Sequence, residues 1–209
     1  MCSHYEAPTP ERIRSAFNNA PDSPYQTELW PTYTGAFVRR RHEERDEDQS
    51  SFEALTGQFG LLPVWAKGKT YGRRTYNARS ETAASLSSFR TAWSKGQKCI
   101  IPAAAIYEPD WRTGKAIPTR ICRSDGGLMS IAGLWDKWKS QSGETVYSFA
   151  MLTIDAGDHA LMRNYHKGSE KRMVVILPNG QLDDWLTAPA EANMEFMRQY
   201  PADRLTAGV

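Results

Sequence analysis

LMSIAGLWDKW, residues 128–138, and TVYSFAMLTI, residues 145–154, are rich in aliphatic and aromatic side chains, contain no proline, and read as two strands. Outward from this pair, KCII (98–101), AAAIYE (103–108) and PTRIC (118–122) precede it as further strand-like runs, and RMVVIL (172–177) follows it. The second half of the chain is therefore strand-rich. Upstream, Thr34 to Arg40 and Phe52 to Phe59 read as strands flanking the charged run RRRHEERDED, residues 39–48, a solvated hairpin tip. Thr9-Pro10-Glu11 reads as an N-cap with proline at the first helical position, opening a helix over roughly 10–19 with Ile13, Ala16 and Phe17 on one face. From Glu81 to Lys95, Ala84, Leu86, Phe89, Ala92 and Trp93 form an approximate helical stripe closed by Gly96. Residues 155–165 have helical character, and Pro189 opens a last helix reaching Gln199. The pattern is α+β, with no repeat or linker that would divide residues 1–209 into more than one domain.

Composition narrows the function classes. The 209 residues are 40% hydrophobic and 24% charged, as in an ordinary globular chain long enough to bury a core without staples. The net charge of +2 falls short of the basic balance that alone marks a nucleic-acid-binding domain. Any such binding must come from a local patch. Three widely spaced cysteines, Cys2, Cys99 and Cys122, suggest neither a disulfide framework nor a paired metal site. They fit a reducing cytoplasm; no apolar segment follows a basic start and no window is long and apolar, so no secretion or membrane span is expected, and a monomer without metal or cofactor is expected.

Cys2 stands directly behind the initiator methionine. Removal of Met1 would give an α-amine and a thiol on adjacent carbons, a pair that condenses with an aldehyde first to an imine and then to a five-membered thiazolidine. An α-amine titrates near ~8 and a lysine near ~10.4, so the terminus offers far more free base at neutral pH. Cys2 is a candidate nucleophile. A second feature is WAKGKTYGRRTYNAR, Trp65 to Arg79, which interleaves Lys67, Lys69, Arg73, Arg74 and Arg79 with Trp65, Tyr71 and Tyr76 and contains no acid. It reads as a loop in which rings could stack on bases while cations track phosphates, favouring single strands over duplex. The plainer reading is a basic surface loop with core anchors.

YNARSETA, Tyr76 to Ala83, resembles the NARxET signature of the SRAP family, the abasic-site processing proteins also called SOS-response-associated peptidases. Met1-Cys2 is similar to the family's opening, and GLLPVW (60–65) to its WGL-P-W segment. CIIPAAAIYEPDW (99–111) resembles its strand pair with Glu108 at the glutamate. LMSIAGLWDKW and SFAMLTIDA (148–156) are similar to two further strands. NYHKGSEKRMVVIL places His166 at the family histidine and Arg172-Met173 at its Arg-Met pair. The resemblance covers nearly the whole chain and implies a mainly antiparallel, barrel-like β core flanked by several short helices.

It also implies a chemistry. The Cys2 amine would attack the aldehyde of an abasic site in single-stranded DNA, and the thiol would close a thiazolidine, leaving a covalent cross-link with associated AP-lyase and self-processing activity. Glu108 would shuttle protons, His166 would act as acid, base or phosphate contact, and Asn77 would orient the amine and the sugar oxygen. Arg79 resembles the family's phosphate arginine, and Trp65 the ring that interrupts the base stack. Arg73, Arg74, Arg172 and His4 complete the expected DNA contacts. Without the resemblance, Glu108 beside Pro109 reads as a surface residue or ion-pair partner, Asn77 as a turn residue and His166 as structural.

The chain departs from the family in several places. Ser3 and His4 replace a glycine and an arginine, Val174 replaces a proline, and WPTYTGAF (30–37) stands where the family has an N-(A/I)-P stretch. KGSEK, 167–171, is inserted between His166 and Arg172. The insert either extends the DNA-binding edge or removes Arg172 from the site. Rival readings are an N-terminal-nucleophile cysteine peptidase or amidohydrolase, a non-catalytic single-strand-binding module, and a zinc site from Cys2, His4, Cys99 and Cys122.

Overall fold

A computed structural model describes residues 2–41 and 51–208. Its strands are β1 (His4–Glu6), β2 (Glu28–Leu29), β3 (Thr34–Arg40), β4 (Phe52–Phe59), β5 (Asn77–Arg79), β6 (Lys98–Ala103) and β7 (Ala105–Asp110). They continue with β8 (Ile117–Arg123), β9 (Met129–Lys139), β10 (Thr145–Asp155), β11 (Arg172–Val174), β12 (Ile176–Leu177) and β13 (Leu205–Gly208). The α-helices are short: α1 (Pro10–Phe17), α2 (Ser80–Ala83), α3 (Arg90–Ser94) and α4 (Leu182–Thr187).

The two runs that opened the reading are β9 and β10, paired antiparallel from Thr145↔Lys139 to Met151↔Gly133. From them the sheet continues β10-β4-β3-β6-β9 and so returns to its start, closing a five-stranded barrel. Closure removes open edges, the liability of a lone sheet. The pairings are antiparallel except where β10 meets β4 and β5, which run parallel to it. Phe37, Phe59 and Phe149 fill the interior, with ring centroids 5.6–5.7 Å apart where they meet, and Trp135 packs on Phe37. The fold is the expected α+β type, a mainly antiparallel barrel with short flanking helices.

After Ala103 the chain leaves the barrel, and β7 joins a second sheet in the order β13-β8-β7-β1-β2. This sheet positions the chain start. Register pairs His4↔Tyr107 and Tyr5↔Ile106, which carries Cys2 alongside the end of β7, where Glu108 lies. Tyr5 is fully buried and packs edge-on against Phe59 of the barrel. The start of the chain is thus inside the core. Strands β1 and β2 are too short to show an alternating pattern and were not anticipated.

The strands at 34–40 and 52–59 have the expected bounds, and their ladder runs to Arg40↔Phe52. The hairpin tip anticipated over 39–48 lies for the most part outside the described residues. Helix α1 has Pro10 at its first turn and ends at Asn18 in the left-handed conformation, but Thr9 makes no side-chain cap. The single helix expected over 81–95 is instead α2 and α3 with turns between. Serines 85, 87 and 88 crowd the break, and Ser85 Oγ bonds back to the Thr82 carbonyl, the local competition that weakens serine-rich helices.

Two other helical expectations also fail. Residues 155–165 hold only a 3-10 turn at Met162–Asn164. Buried His159 accepts the backbone N–H groups of Leu161 and Met162 at Nδ1 and donates from Nε2 to the Tyr200 carbonyl, which takes two donors away from a helical ladder. The stretch after Pro189 is a 3-10 helix, Ala190–Phe196. RMVVIL is not one strand: Val175 sits between β11, which pairs with β10, and β12, which pairs with β9.

Candidate functional site

Four elements bring the expected residues together. The segment leading into β1 delivers Cys2, β7 delivers Glu108, β5 delivers Asn77 and the turn before the insert delivers His166. Asn77 Nδ2 donates to the Cys2 carbonyl at 2.7 Å, tying the chain start to the barrel wall. Its Oδ1 is buried with no hydrogen-bond partner among the described residues. The parallel pairing Met151↔Asn77 on β10 fixes that orientation. Asn77 is therefore a buried tether rather than a turn residue.

Glu108 is 1% exposed, not a surface residue, and neither carboxyl oxygen has a hydrogen-bond donor among the described residues. A bare carboxylate in such surroundings is costly, so burial pushes its pKa up to about 8. Next to it, His166 Nε2 lies 3.2 Å from Glu108 Oε2. The same nitrogen is 3.2 Å from the Arg172 carbonyl, with the geometry of a hydrogen bond. A carbonyl only accepts, so the proton sits on Nε2. Burial drives the imidazole pKa down to about 4. At neutral pH the pair is a carboxylic acid beside a neutral imidazole, since desolvation opposes the charged form of both.

Cys2 is 1% exposed, and its Sγ donates to the His4 carbonyl at 3.3 Å. Burial, then the nearby Glu108 charge, raises the thiol pKa far above its ordinary value. The sulfur stays a thiol. His166 itself is strained, with φ of 65°, a conformation that costs a side-chain-bearing residue energy. It is held from three sides: its N–H bonds the Pro109 carbonyl, its ring bonds the Arg172 carbonyl, and its own carbonyl accepts from Lys171 Nζ at 2.7 Å. Lys171, from the insert, was not identified from sequence.

The basic residues divide. Trp65, 50% exposed, leans edge-on against Tyr71, and with Lys67, Arg73 and Arg74 it lines an open cavity of about 570 Å³. The stretch is less loose than anticipated: it contains a 3-10 helix, Lys69–Arg74, and ends in β5. Buried Gln58 donates to the carbonyls of Gly60 and Lys69, and Trp138 Nε1 donates to the Ala66 carbonyl. Gly60, at φ of 118°, passes so close to the Gly72 backbone that any Cβ would collide with it.

Arg172 points inward. Its guanidinium meets Glu81 at 2.8 and 2.9 Å and also donates to the Thr153 carbonyl and hydroxyl, so it contributes to the cluster through its main-chain carbonyl. Glu81, held below the usual carboxylate range by that guanidinium, was not singled out from sequence. Arg79, also on β5, is paired bidentately with Glu170 of the insert. His4 is stacked between Trp30 and Tyr107, with both centroid distances 4.2 Å, and its Nε2 contacts Glu28. Its ring therefore faces its own sheet neighbours. Among the described residues no three His, Cys, Asp or Glu side chains converge as a metal site requires, and no helix there is long and apolar enough to cross a membrane.

Comparison with known proteins bears on this arrangement. The family model for "SOS response associated peptidase (SRAP)" matches residues 1–208. The chain belongs to the SRAP family. SRAP relatives include abasic site processing protein YoqW of Bacillus subtilis (strain 168), 32% identical over 157 residues that cover 72% of this chain and 66% of YoqW. Abasic site processing protein HMCES of Gallus gallus is 26% identical, over 93% of this chain and 60% of HMCES. The chain thus spans about two thirds or less of the length of these relatives. A crystal structure of a Bordetella bronchiseptica protein superposes with a TM-score of 0.89 at 50% identity, covering 99% of this chain and 98% of that one. One from Bacteroides thetaiotaomicron superposes at 0.83 with 20% identity, covering 99% and 90%, and shows that the SRAP fold persists when most residues differ.

Proposed function

We propose that this chain, once Met1 is removed, captures abasic sites in single-stranded DNA as a thiazolidine on Cys2. The observation that carries the reading is the dry cluster in which Asn77 tethers Cys2 beside a protonated Glu108 and a neutral His166. Condensation of an amine with an aldehyde needs proton transfers and no redox partner. The Cys2 amine adds to C1 of the ring-opened sugar, giving a carbinolamine. Glu108, as an acid, protonates the departing hydroxyl so that water leaves and an imine forms. The thiol then adds across the C=N bond, sulfur to carbon and proton to nitrogen, with Glu108 as the relay.

The unpaired Asn77 Oδ1 is an acceptor for the amine, and it holds the lone pair toward the sugar. With its proton on Nε2, His166 carries its basic lone pair on Nδ1, the atom that would remove a proton from sugar C2. That removal would expel the 3′ phosphate, the AP-lyase reaction, and thiazolidine closure competes with it. Arg79, Arg73, Arg74 and Trp65 would hold the strand by phosphate contacts and stacking. The peptidase label is taken as removal of the chain's own first residue. In this reading the protein works as a monomer in the cytoplasm, associated with the nucleoid when on DNA, without metal or cofactor.

The test is incubation with a single-stranded oligonucleotide carrying one abasic site, followed by a denaturing gel without borohydride. The expected result is a stable shifted band that Cys2→Ala abolishes. Absence of the band with protein shown by mass spectrometry to lack Met1 sinks the proposal.

A further inference from the structure

The insert KGSEK, 167–171, has a clamped stem and a loosely held tip. At the stem, Lys171 Nζ donates to the carbonyls of Tyr165 and His166, and the Lys171 carbonyl accepts from Ala156. Residues 167–170 are exposed, and Gly168 turns at φ of 93°. Among the described residues the tip's side chains meet the Trp111 ring, 5.0 Å from Lys167, and Arg79, paired with Glu170. The second lies at the rim of the site. Arg79 Nη1 meets Glu170 Oε1 at 2.7 Å and Nη2 meets Oε2 at 3.0 Å, the fork-to-fork arrangement in which a carboxylate presents the same two-oxygen bite as a phosphate.

The neighbouring arginine is spoken for, because both terminal nitrogens of Arg172 are engaged by Glu81 and Thr153. Arg79 is the guanidinium of this pair that reaches solvent, 42% exposed against 7% for Arg172. Its partner Glu170 is 56% exposed. An ion pair this open is weak, so it yields to a competing anion without disturbing the clamped stem.

We propose that Glu170 is a built-in competitor for Arg79: it occupies the position of a DNA phosphate, and a single strand docks by exchanging one for the other. This rests on the reading of Arg79 as a phosphate contact under Proposed function and adds how that contact is regulated. Exchange makes docking weaker and less salt-dependent than the count of cations at the rim implies. One charge at the rim is released only as another is bound.

The experiment is a double-mutant cycle on undamaged single-stranded oligonucleotide, read by fluorescence anisotropy across a salt series, with wild type, Glu170→Gln, Arg79→Ala and the double variant. Glu170→Gln should tighten Kd roughly two- to fivefold, the range a freed exposed pair allows, and steepen the log–log salt slope by up to about 0.7. Arg79→Ala should weaken binding, and in its background Glu170→Gln should have no effect. Equal tightening in both backgrounds would mean a general charge effect and overturn the proposal, as would unchanged or weaker binding by Glu170→Gln, or wild-type binding by Arg79→Ala. The assay needs no abasic site and no Cys2 chemistry. A cycle that behaves as expected beside a failed cross-linking gel would leave the competitor standing while removing the abasic reading.

Discussion

Glu108 and Glu170 stand in opposite surroundings. Glu108 forms part of the floor, 1% exposed, with no hydrogen-bond donor among the described residues and its pKa pushed up to about 8. Glu170 is on the rim, 56% exposed and paired with Arg79. The floor is dry and stores its groups in neutral forms, ready to give or take a proton. The rim is wet and keeps its charges, ready to exchange them. In the proposed function chemistry and grip are therefore separable, and substitutions should fall cleanly on one side or the other.

The largest effect should come from the floor. Glu108→Gln should slow adduct formation about 10²-fold or more, the usual contribution of a positioned acid or base, while leaving Kd for undamaged single strands within about twofold. A matching loss of affinity would show that the two regions are not separate. On the rim, Trp65→Ala should weaken single-strand binding by about 1–3 kcal/mol, the worth of one stacked base, with the rate of capture at saturating DNA unchanged. A slowed rate at saturation would move Trp65 into the chemistry. Arg73→Ala should have a smaller effect, a uniform loss across sequences and a salt slope lower by about 0.7.

A separate effect concerns stability, and its sign follows from linkage. Glu108 has a folded pKa raised from 4.5 to about 8, so the folded state keeps a proton that the unfolded state has lost. The stability this gives is fully present below about pH 4.5 and disappears as pH rises through 8. His166 is lowered from 6.5 to about 4, so its contribution is present above 6.5 and lost as pH falls through 4. Between about pH 4.5 and 8 the wild type should therefore lose stability relative to Glu108→Gln, with a limiting slope of about 1.4 kcal/mol per pH unit that flattens above pH 8. Thermal melts of the two proteins across that range check it. Parallel pH profiles would mean that Glu108 is not held protonated.

How much of this was legible in the sequence also follows the division between floor and rim. Cys2, Asn77, Glu108 and His166 could be named because each stands in a short, ordered motif, and the strands at 34–40 and 52–59 because period and turn residues mark them. The rim could not be read in the same way. Arg79 and Glu170 are 91 positions apart, as are Glu81 and Arg172, and which arginine meets solvent depends on the path of a five-residue insert. Helical pattern misled at 81–95 and 155–165, where serine side chains and His159 take the hydrogen bonds that a helix would need. Burial of Glu108 required the register of β1 on β7, which three-residue β1 does not announce.

The central claim is that Cys2, freed of Met1, is the atom pair that joins this chain to an abasic sugar. Intact mass spectrometry of the protein after reaction with a single-stranded abasic oligonucleotide tests it directly. The account predicts one species equal to the chain without Met1 plus the oligonucleotide minus one water, with the oligonucleotide mapped by proteolysis to the Cys2 peptide and absent in Cys2→Ala. An adduct that maps elsewhere, or that forms equally in Cys2→Ala, would contradict it.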